Sequence, residues 1–356
     1  RTYLPGGRAP RAGQRVTLPE TARTLRRLAE GGAEAFYRGP VAEAIVAASA
    51  RYGGLLSLQD LADHTSTWVE PICTDYRGYT VWECPPNGQG IAALEALNIL
   101  SGYDLAQMDP YAADVIHLRL EAIKLALADA GRYVTDPEVL PVPVAGLLSS
   151  EYAAERRALI QMGRAIAQPQ AGLPAAGHDT VYLCTADSEG NAVSFIQSQF
   201  LSFGSGIAPQ GMGFTLQNRG NLFCLDPNHP NCIAPHKRPY HTIIPAMVTQ
   251  GDRLVSALGV MGGAIQPQGH VMVLSNILDH GMGVQEALYA PRFYYQKENE
   301  VWIEPYWAEA VYDDLRRRGH DLRMTEGPVM GGAQLIWVDP ESGAYLAASE
   351  PRKDGC

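Results

Sequence analysis

Apolar positions fall at helical spacing through most of the first half of the chain. The segment LPETARTLRRLAEG (18–31) carries Pro19 near a helix start, leucines in register for one face, and Gly31 at the exit. PVAEAIVAASARY (40–52) predicts a second helix, closed by Gly53-Gly54. Ser57, followed by Gln59-Asp60, opens a short third. Residues 68–84 (WVEPICTDYRGYTVWEC) then switch to β-branched and aromatic types around a turn at Arg77-Gly78. Helical patterns return over 90–101 and 111–130.

The stretch AIAQPQAGLPAAGH (165–178) is loose, small and polar, which predicts a surface linker. Immediately afterwards the pattern becomes β. Strands are expected over 180–186 and 191–200, joined by Asp187-Ser188-Glu189-Gly190, with glycine where a hairpin loop needs a positive φ. Further strands are expected at 243–249, 254–259, 301–304, 333–338 and 344–348, alternating with helices at 269–280 and 306–318. The chain has no internal repeat and no low-complexity segment.

With 356 residues, 46% of them hydrophobic, there is ample material for a large core. The formal charge is -10, from 28 basic and 38 acidic residues with no block of like charge. Such a surface argues against a nucleic-acid partner and offers no basic patch to a membrane. No apolar run approaches the ~18 residues of a spanning helix. The opening RTYLPGGRAPRAGQR lacks the apolar core of a signal peptide, but a mature secreted protein would already have lost one, so the compartment stays open. Six cysteines (73, 84, 184, 224, 232 and 356) form no CxxC pair. Cys224 and Cys232 bracket the Pro-rich turn LDPNHPN, and a disulfide and two buried thiols are both compatible with that spacing.

The junction at residue 179 carries the first chemical signal. If the bond between Asp179 and Thr180 is broken, Thr180 becomes a free N-terminus with its hydroxyl beside its own α-amine. That amine, with a reference pKa of about 7.7–8.0, can take the hydroxyl proton and activate a weak nucleophile. Taken alone, threonine at a strand start is equally well explained by β-propensity.

Five blocks in order change that balance: through residues 75–90, 179–206, 237–247, 259–270 and 287–293 the chain resembles the γ-glutamyltranspeptidase family. DTVYLCTADSEGNAVSFIQSQFLSFGSG (179–206) is similar to the family's nucleophile strand and hairpin. KRPYHTIIPAM (237–247), GVMGGAIQPQGH (259–270) and ALYAPRF (287–293) resemble three downstream blocks, and DYRGYTVWECPPNGQG (75–90) matches the large-subunit pattern. The resemblance implies Thr180 as nucleophile, Ser198 as the hydroxyl that orients it, and Gly262-Gly263 as backbone donors to the oxyanion. Glycine suits that last role because the backbone must approach substrate without a Cβ in the way. It also implies an α+β fold, the four-layer αββα sandwich of N-terminal-nucleophile hydrolases. Cleavage fragments 1–179 and 180–356 would intertwine as one structural domain and form a heterodimer. No cofactor or metal is implied, because nucleophile, base and oxyanion donors all come from the protein. The family's large subunit begins with a further segment, holding a glycine-rich block and an arginine, which does not precede Arg1.

The positions that hold a glutamyl α-amine and α-carboxylate in transpeptidases have changed. Phe200 stands in place of an Asn, Arg219 in place of an amide side chain, Leu222 in place of an acid, and His241-Thr242 in place of a Ser-Ser pair. Loss of the carboxylate leaves an ammonium group without its counter-charge, and burying it so would be costly. This pattern resembles the branch of cephalosporin acylases and oxamate amidohydrolases. It implies a small-molecule amide whose acyl group bears a carboxylate and no α-amine, with Arg219 as its bidentate partner; a structural arginine is the plain alternative.

Three other readings compete. A γ-glutamyl transferase or glutathione hydrolase would use the same nucleophile. A family member that has lost catalysis would act as a binding protein. A metal site could draw on Cys224, His229, Cys232, His236 and His241, but their spacing fits no standard zinc pattern. The glycine-rich GSGIAPQGMG (204–213) lacks the Lys-Ser/Thr of a phosphate-binding loop.

Overall fold

A computed structural model describes residues 3–169, 179–353 and 355. The chain forms two compact units, Arg1–Trp68 with Leu201–Asn218, and Val69–Phe200 with Arg219–Cys356. The sequence reading does not separate the smaller unit.

In the smaller unit lie α1 (Pro19–Gly31), α2 (Glu34–Tyr37), α3 (Pro40–Arg51) and α4 (Leu58–Ala62). Prolines begin α1 and α3, where the missing N–H costs no intrahelical bond. The start of α4 is a capping box: the Ser57 hydroxyl accepts from the Asp60 N–H, and the Asp60 carboxylate accepts from the Ser57 N–H. Val41 and Ile45 pack with Met212 and Phe214 in its small core. The Thr24 hydroxyl fastens α1 to the Met212 carbonyl at 2.8 Å.

The larger unit draws on both sides of the Asp179–Thr180 bond. Before it come β1 (Ile72–Tyr76), β2 (Tyr79–Glu83), α5 (Gly90–Leu100), α6 (Ala113–Tyr133), α7 (Val144–Leu147) and α8 (Ser150–Arg157). From Asp179 follow β3 (Asp179–Ala186), β4 (Ala192–Phe200), β5 (Ala246–Gln250), β6 (Arg253–Met261), α9 (Gln266–Leu278), α10 (Val284–Tyr289), β7 (Phe293–Lys297), β8 (Glu300–Ile303), α11 (Glu309–Arg318), β9 (Asp321–Met324), β10 (Gly332–Val338) and β11 (Tyr345–Ser349).

A six-stranded antiparallel sheet runs in the order β1-β2-β5-β6-β10-β11. β6 is buried from Val255 to Val260, a continuous run that marks a strand covered on both faces. Adjacent residues show what covers it. Gly259 faces the Tyr182 ring of the β3–β4 hairpin, and Val260 faces Gly269 at the start of α9. The hairpin is docked by hydrogen bonds as well: the Ser194 hydroxyl donates to the Leu258 carbonyl and pairs with the Tyr182 hydroxyl at 2.8 Å. Helices α5, α6 and α9 supply much of the main core, with Ile91, Leu94, Leu97, Ile116, Leu120 and Val271 fully buried. β7, β8 and β9 make a separate three-stranded sheet.

Differences from the sequence reading have local causes. The strand expected from residue 243 begins at Ala246, because the Ile244 N–H is taken by the Gln266 side chain and Pro245 has none. The helix expected from 269 begins at Gln266. β7, β9, α2, α7, α8 and α10 are additional. Of the expected linker, residues 170–178 lie outside the described residues. No helix among the described residues is long and apolar enough to cross a membrane.

Candidate active site

The five-residue loop Asp187–Asn191, one longer than expected, sets the register of the hairpin, so that Thr180 pairs with Ser198 across β3 and β4. Pairing shifts between Asp179 and Thr180, a bulge at the bond expected to be cut. The Thr180 hydroxyl donates to the Ser198 hydroxyl oxygen at 3.2 Å, and that oxygen also accepts from the Phe200 N–H at 2.9 Å. Phe200 ends β4 with φ 76, a left-handed conformation costly for a bulky residue. Its ring is buried, with the Arg219 guanidinium 5.6 Å from the ring centroid.

Thr180 is itself buried and lines two cavities. One, of about 540 Å³, extends past Leu183, Met261, Gln334 and Ile336; the other, of about 360 Å³, is bounded by Val181, Gln197, Ser198 and Gln199. Met261 immediately precedes Gly262-Gly263. Gly262 has φ 129, and a Cβ there would stand 2.8 Å from Ile265 Cγ2 and 3.1 Å from the Gly331 Cα. Only glycine fits. Gly263 starts a 3-10 turn that runs into α9, so its N–H has no partner within that turn.

Arg219 is buried, and desolvation lowers its pKa to about 10, so it remains a cation at neutral pH. It donates to the Thr242 hydroxyl at 3.3 Å. Beside it His241 is pushed down to about 4, first by burial and then by the Arg219 charge, which keeps its imidazole neutral. The structure therefore brings Phe200, Arg219, His241 and Thr242 into one cluster, and Thr180 and Ser198 into another joined to it through Phe200.

One residue of this constellation is invisible to composition or spacing. Gln89 is fully buried and donates to two carbonyls, Thr242 at 3.0 Å and Gly263 at 2.9 Å, while accepting from the Tyr240 hydroxyl at 3.1 Å. It ties the Arg219 cluster to the glycine pair. The loop around it pairs with the same segment in an isolated parallel bridge: the His241 N–H donates to the Asn87 carbonyl and the Gln89 N–H to the His241 carbonyl. That approach requires Gly88, whose Cβ would lie 2.8 Å from the His241 ring. The available signal is the NGQG run within residues 75–90. Glu83, six residues earlier, accepts from His270 Nδ1 at 2.6 Å, and His270 Nε2 accepts from the Val260 N–H, two residues before Gly262.

The His, Cys and carboxylate atoms that converge closely among the described residues belong to His117, Glu121 and His320, not to the Cys224–His241 loop. There the Lys124 ammonium sits 2.8 Å from Glu121, supplying the cation internally. Cys224 and Cys232 are free thiols, half-buried rather than buried. Arg292, in the ALYAPRF block, is buried against Glu350 and acts in packing, through a 2.5 Å ion pair.

Comparison with known proteins gives the family. The family model described as Gamma-glutamyltranspeptidase matches residues 1–356. A glutathione hydrolase-like proenzyme (YwrD) of Bacillus subtilis is 36% identical over 98% of this chain and 67% of its own length. The oxamate amidohydrolase proenzyme of Klebsiella pneumoniae is 36% identical over 99% of this chain and 67% of its own. The crystal structure of cephalosporin acylase from Bacillus halodurans superposes with TM-score 0.92 at 47% identity, covering all of this chain and 65% of that one. The chain thus spans about two thirds of the length of these relatives, and shares their α+β N-terminal-nucleophile hydrolase fold. It belongs to the γ-glutamyltranspeptidase family of hydrolases and acyltransferases.

Proposed function

We propose that the protein is a self-processed amide hydrolase in which Thr180 is the nucleophile for both its own maturation and turnover. The observation that carries this reading is the Thr180 hydroxyl, buried at a strand bulge directly after the Asp179–Thr180 bond and held by Ser198 at 3.2 Å. In maturation the Thr180 oxygen attacks the Asp179 carbonyl carbon. A C–O bond forms, the C–N bond breaks, and the nitrogen leaves as the Thr180 α-amine. Water then hydrolyses the ester, giving the Asp179 carboxylate and the free Thr180 hydroxyl. Fragments 1–179 and 180–356 stay together as a heterodimer.

In turnover the α-amine takes the hydroxyl proton as Thr180 attacks the substrate amide. Ser198 orients the hydroxyl. The Gly262 and Gly263 N–H groups bind the oxyanion, and one such donor is worth about 3–4 kcal/mol. The leaving amine takes a proton, and water releases the acyl group as an acid. The acyl group bears a carboxylate and lacks an α-amine: Arg219 with Thr242 receives the anion, and neither Phe200 nor Leu222 offers an ammonium group a counter-charge. The names of the oxamate amidohydrolase and cephalosporin acylase relatives support that substrate class.

The test is a denaturing mass spectrum of wild type and of Thr180→Ala, with hydrolysis of oxamic, N-glutaryl and γ-glutamyl amides measured in parallel. Wild type should give two fragments, one starting at Thr180, and the variant a single inert chain. A Thr180→Ala protein that still cuts itself removes Thr180 from the mechanism. Preference for the γ-glutamyl amide refutes the substrate assignment, and an intact wild type without turnover points to a binding protein.

A further inference from the structure

The loop between Arg219 and His241 holds two of the six cysteines, and its backbone places them opposite each other. Cys224 and Cys232 are partners in an isolated parallel bridge. The Cys224 N–H donates to the Asn231 carbonyl at 2.9 Å, and the Ile233 N–H donates to the Cys224 carbonyl at 3.0 Å. Paired strands lie about 4.7–4.9 Å apart, inside the roughly 4.4–6.8 Å range of Cα separations that a disulfide spans. Directly paired residues also project from the same side of their ladder. Both thiols are free and half-buried, so a small reagent can reach them.

The turn between them is closed by short-range hydrogen bonds. The Asp226 carboxylate accepts from the Asn228 N–H, and the His229 and Cys232 N–H groups close two successive turns. Asn231 is buried and anchors the turn at both ends of the binding segment: its amide donates to the Leu222 carbonyl at 2.7 Å, and its oxygen accepts from the Tyr240 N–H at 3.0 Å. Leu222 ends the turn that begins at Arg219, and Tyr240 precedes His241-Thr242. Lys237 adds a further strut, donating to the Cys232 carbonyl at 2.9 Å.

We propose that Cys224 and Cys232 form a reversible disulfide that stiffens the Arg219–Thr242 loop and tightens substrate binding. The functional half of this proposal rests on the assignment of Arg219 and Thr242 to the acyl-group site; the bond itself does not. Formation proceeds by exchange with a low-molecular-weight disulfide. One cysteine thiolate attacks a sulfur of that reagent, forming a mixed disulfide and expelling one thiolate. The second cysteine thiolate attacks the protein-bound sulfur and expels the other. Two protein thiols are oxidised, two protons leave, and one small disulfide is reduced to two thiols. Holding the loop in its binding conformation removes the part of the apparent affinity lost to other conformers.

The experiment treats the mature protein with hydroxyethyl disulfide, then maps its peptides without reduction and measures kcat and KM before and after. The expected result is a peptide linking Cys224 to Cys232, an intact mass lower by ~2 Da once other adducts are excluded, and a severalfold lower KM with kcat unchanged. Dithiothreitol should reverse all three, and Cys224→Ser and Cys232→Ser should abolish the response while keeping the reduced protein's KM. Separate mixed disulfides at the two cysteines, with no cross-link, overturn the proposal. A cross-link that leaves KM unmoved overturns its regulatory half. Mass mapping reads the bond even in a protein with no measurable turnover, so a failed disulfide and a failed substrate assignment are told apart.

Discussion

Replacing Gln89 by leucine keeps most of the side-chain volume and deletes three buried hydrogen bonds at once. The lost bonds run to the Thr242 carbonyl, the Gly263 carbonyl and the Tyr240 hydroxyl, at 3.0, 2.9 and 3.1 Å. The Gly263 carbonyl keeps one partner, the Gln266 N–H, so its loss is the mildest. Each bond contributes about 1 kcal/mol net, and an orphaned buried group costs about 1–3, so the substitution should destabilise the protein by roughly 3–5 kcal/mol. Out of a typical total of about 5–15 kcal/mol that is survivable, and the variant should fold. Tyr240→Phe, which removes one of the three bonds, should cost about 1 kcal/mol. The assay is the denaturant midpoint of each variant, with the slope checked for constancy, followed by kcat/KM. Because Gln89 joins the Thr242 segment to the glycine pair, kcat/KM should fall by on the order of 10² even under conditions where the variant is fully folded. A Gln89→Leu protein that loses under about 1 kcal/mol and keeps its kcat/KM would refute the claim that this side chain positions the site.

Burial raises Glu83 to about 7, against a smaller opposing effect of His270. Its unfolded value is near 4.3, so the folded state binds the proton more tightly; the stability this gives is complete below about 4.3 and lost as pH rises through about 7. Glu83→Gln should flatten stability between about pH 4.3 and pH 7, and an unchanged slope in denaturant midpoints would count against the assignment. Gly262→Ala forces a Cβ to 2.8 Å from Ile265 at φ 129 and should lower kcat by about 10²–10³, read in steady-state turnover of the best amide. Arg219→Gln removes a charged hydrogen-bond donor worth about 1.5–3 kcal/mol and should raise KM for carboxylate-bearing amides by about 10–100-fold. An equal rise for an uncharged amide of the same size would show that the arginine serves packing alone.

What could be read from the chain follows the range of the interactions involved. Thr180 and Ser198 sit eighteen positions apart, and their pairing follows from the five-residue loop Asp187–Asn191, so a local hairpin places them without a tertiary fold. The capping box at Ser57 and Asp60 and the prolines that open α1 and α3 are legible for the same reason. Gln89 and Glu83 are not. A glutamine before a helix and a glutamate in a strand look like ordinary surface residues until their partners, Thr242 and His270, arrive from more than 150 positions away. Burial of a polar group is permitted only by its partner, so sequence patterns that score residues singly must miss it. β9 is hidden in the same way: DLRM shows no alternation, and it is a strand because β8 offers it a parallel edge. The site divides along this line. The proposed nucleophile is placed locally, whereas the scaffold that joins the proposed anion-binding residues to the glycine pair is long-range. On the proposed assignment, Phe200, Arg219, Leu222 and His241 can change with the acyl group while the buried bonds of Gln89 hold the Thr242 segment to the glycine pair.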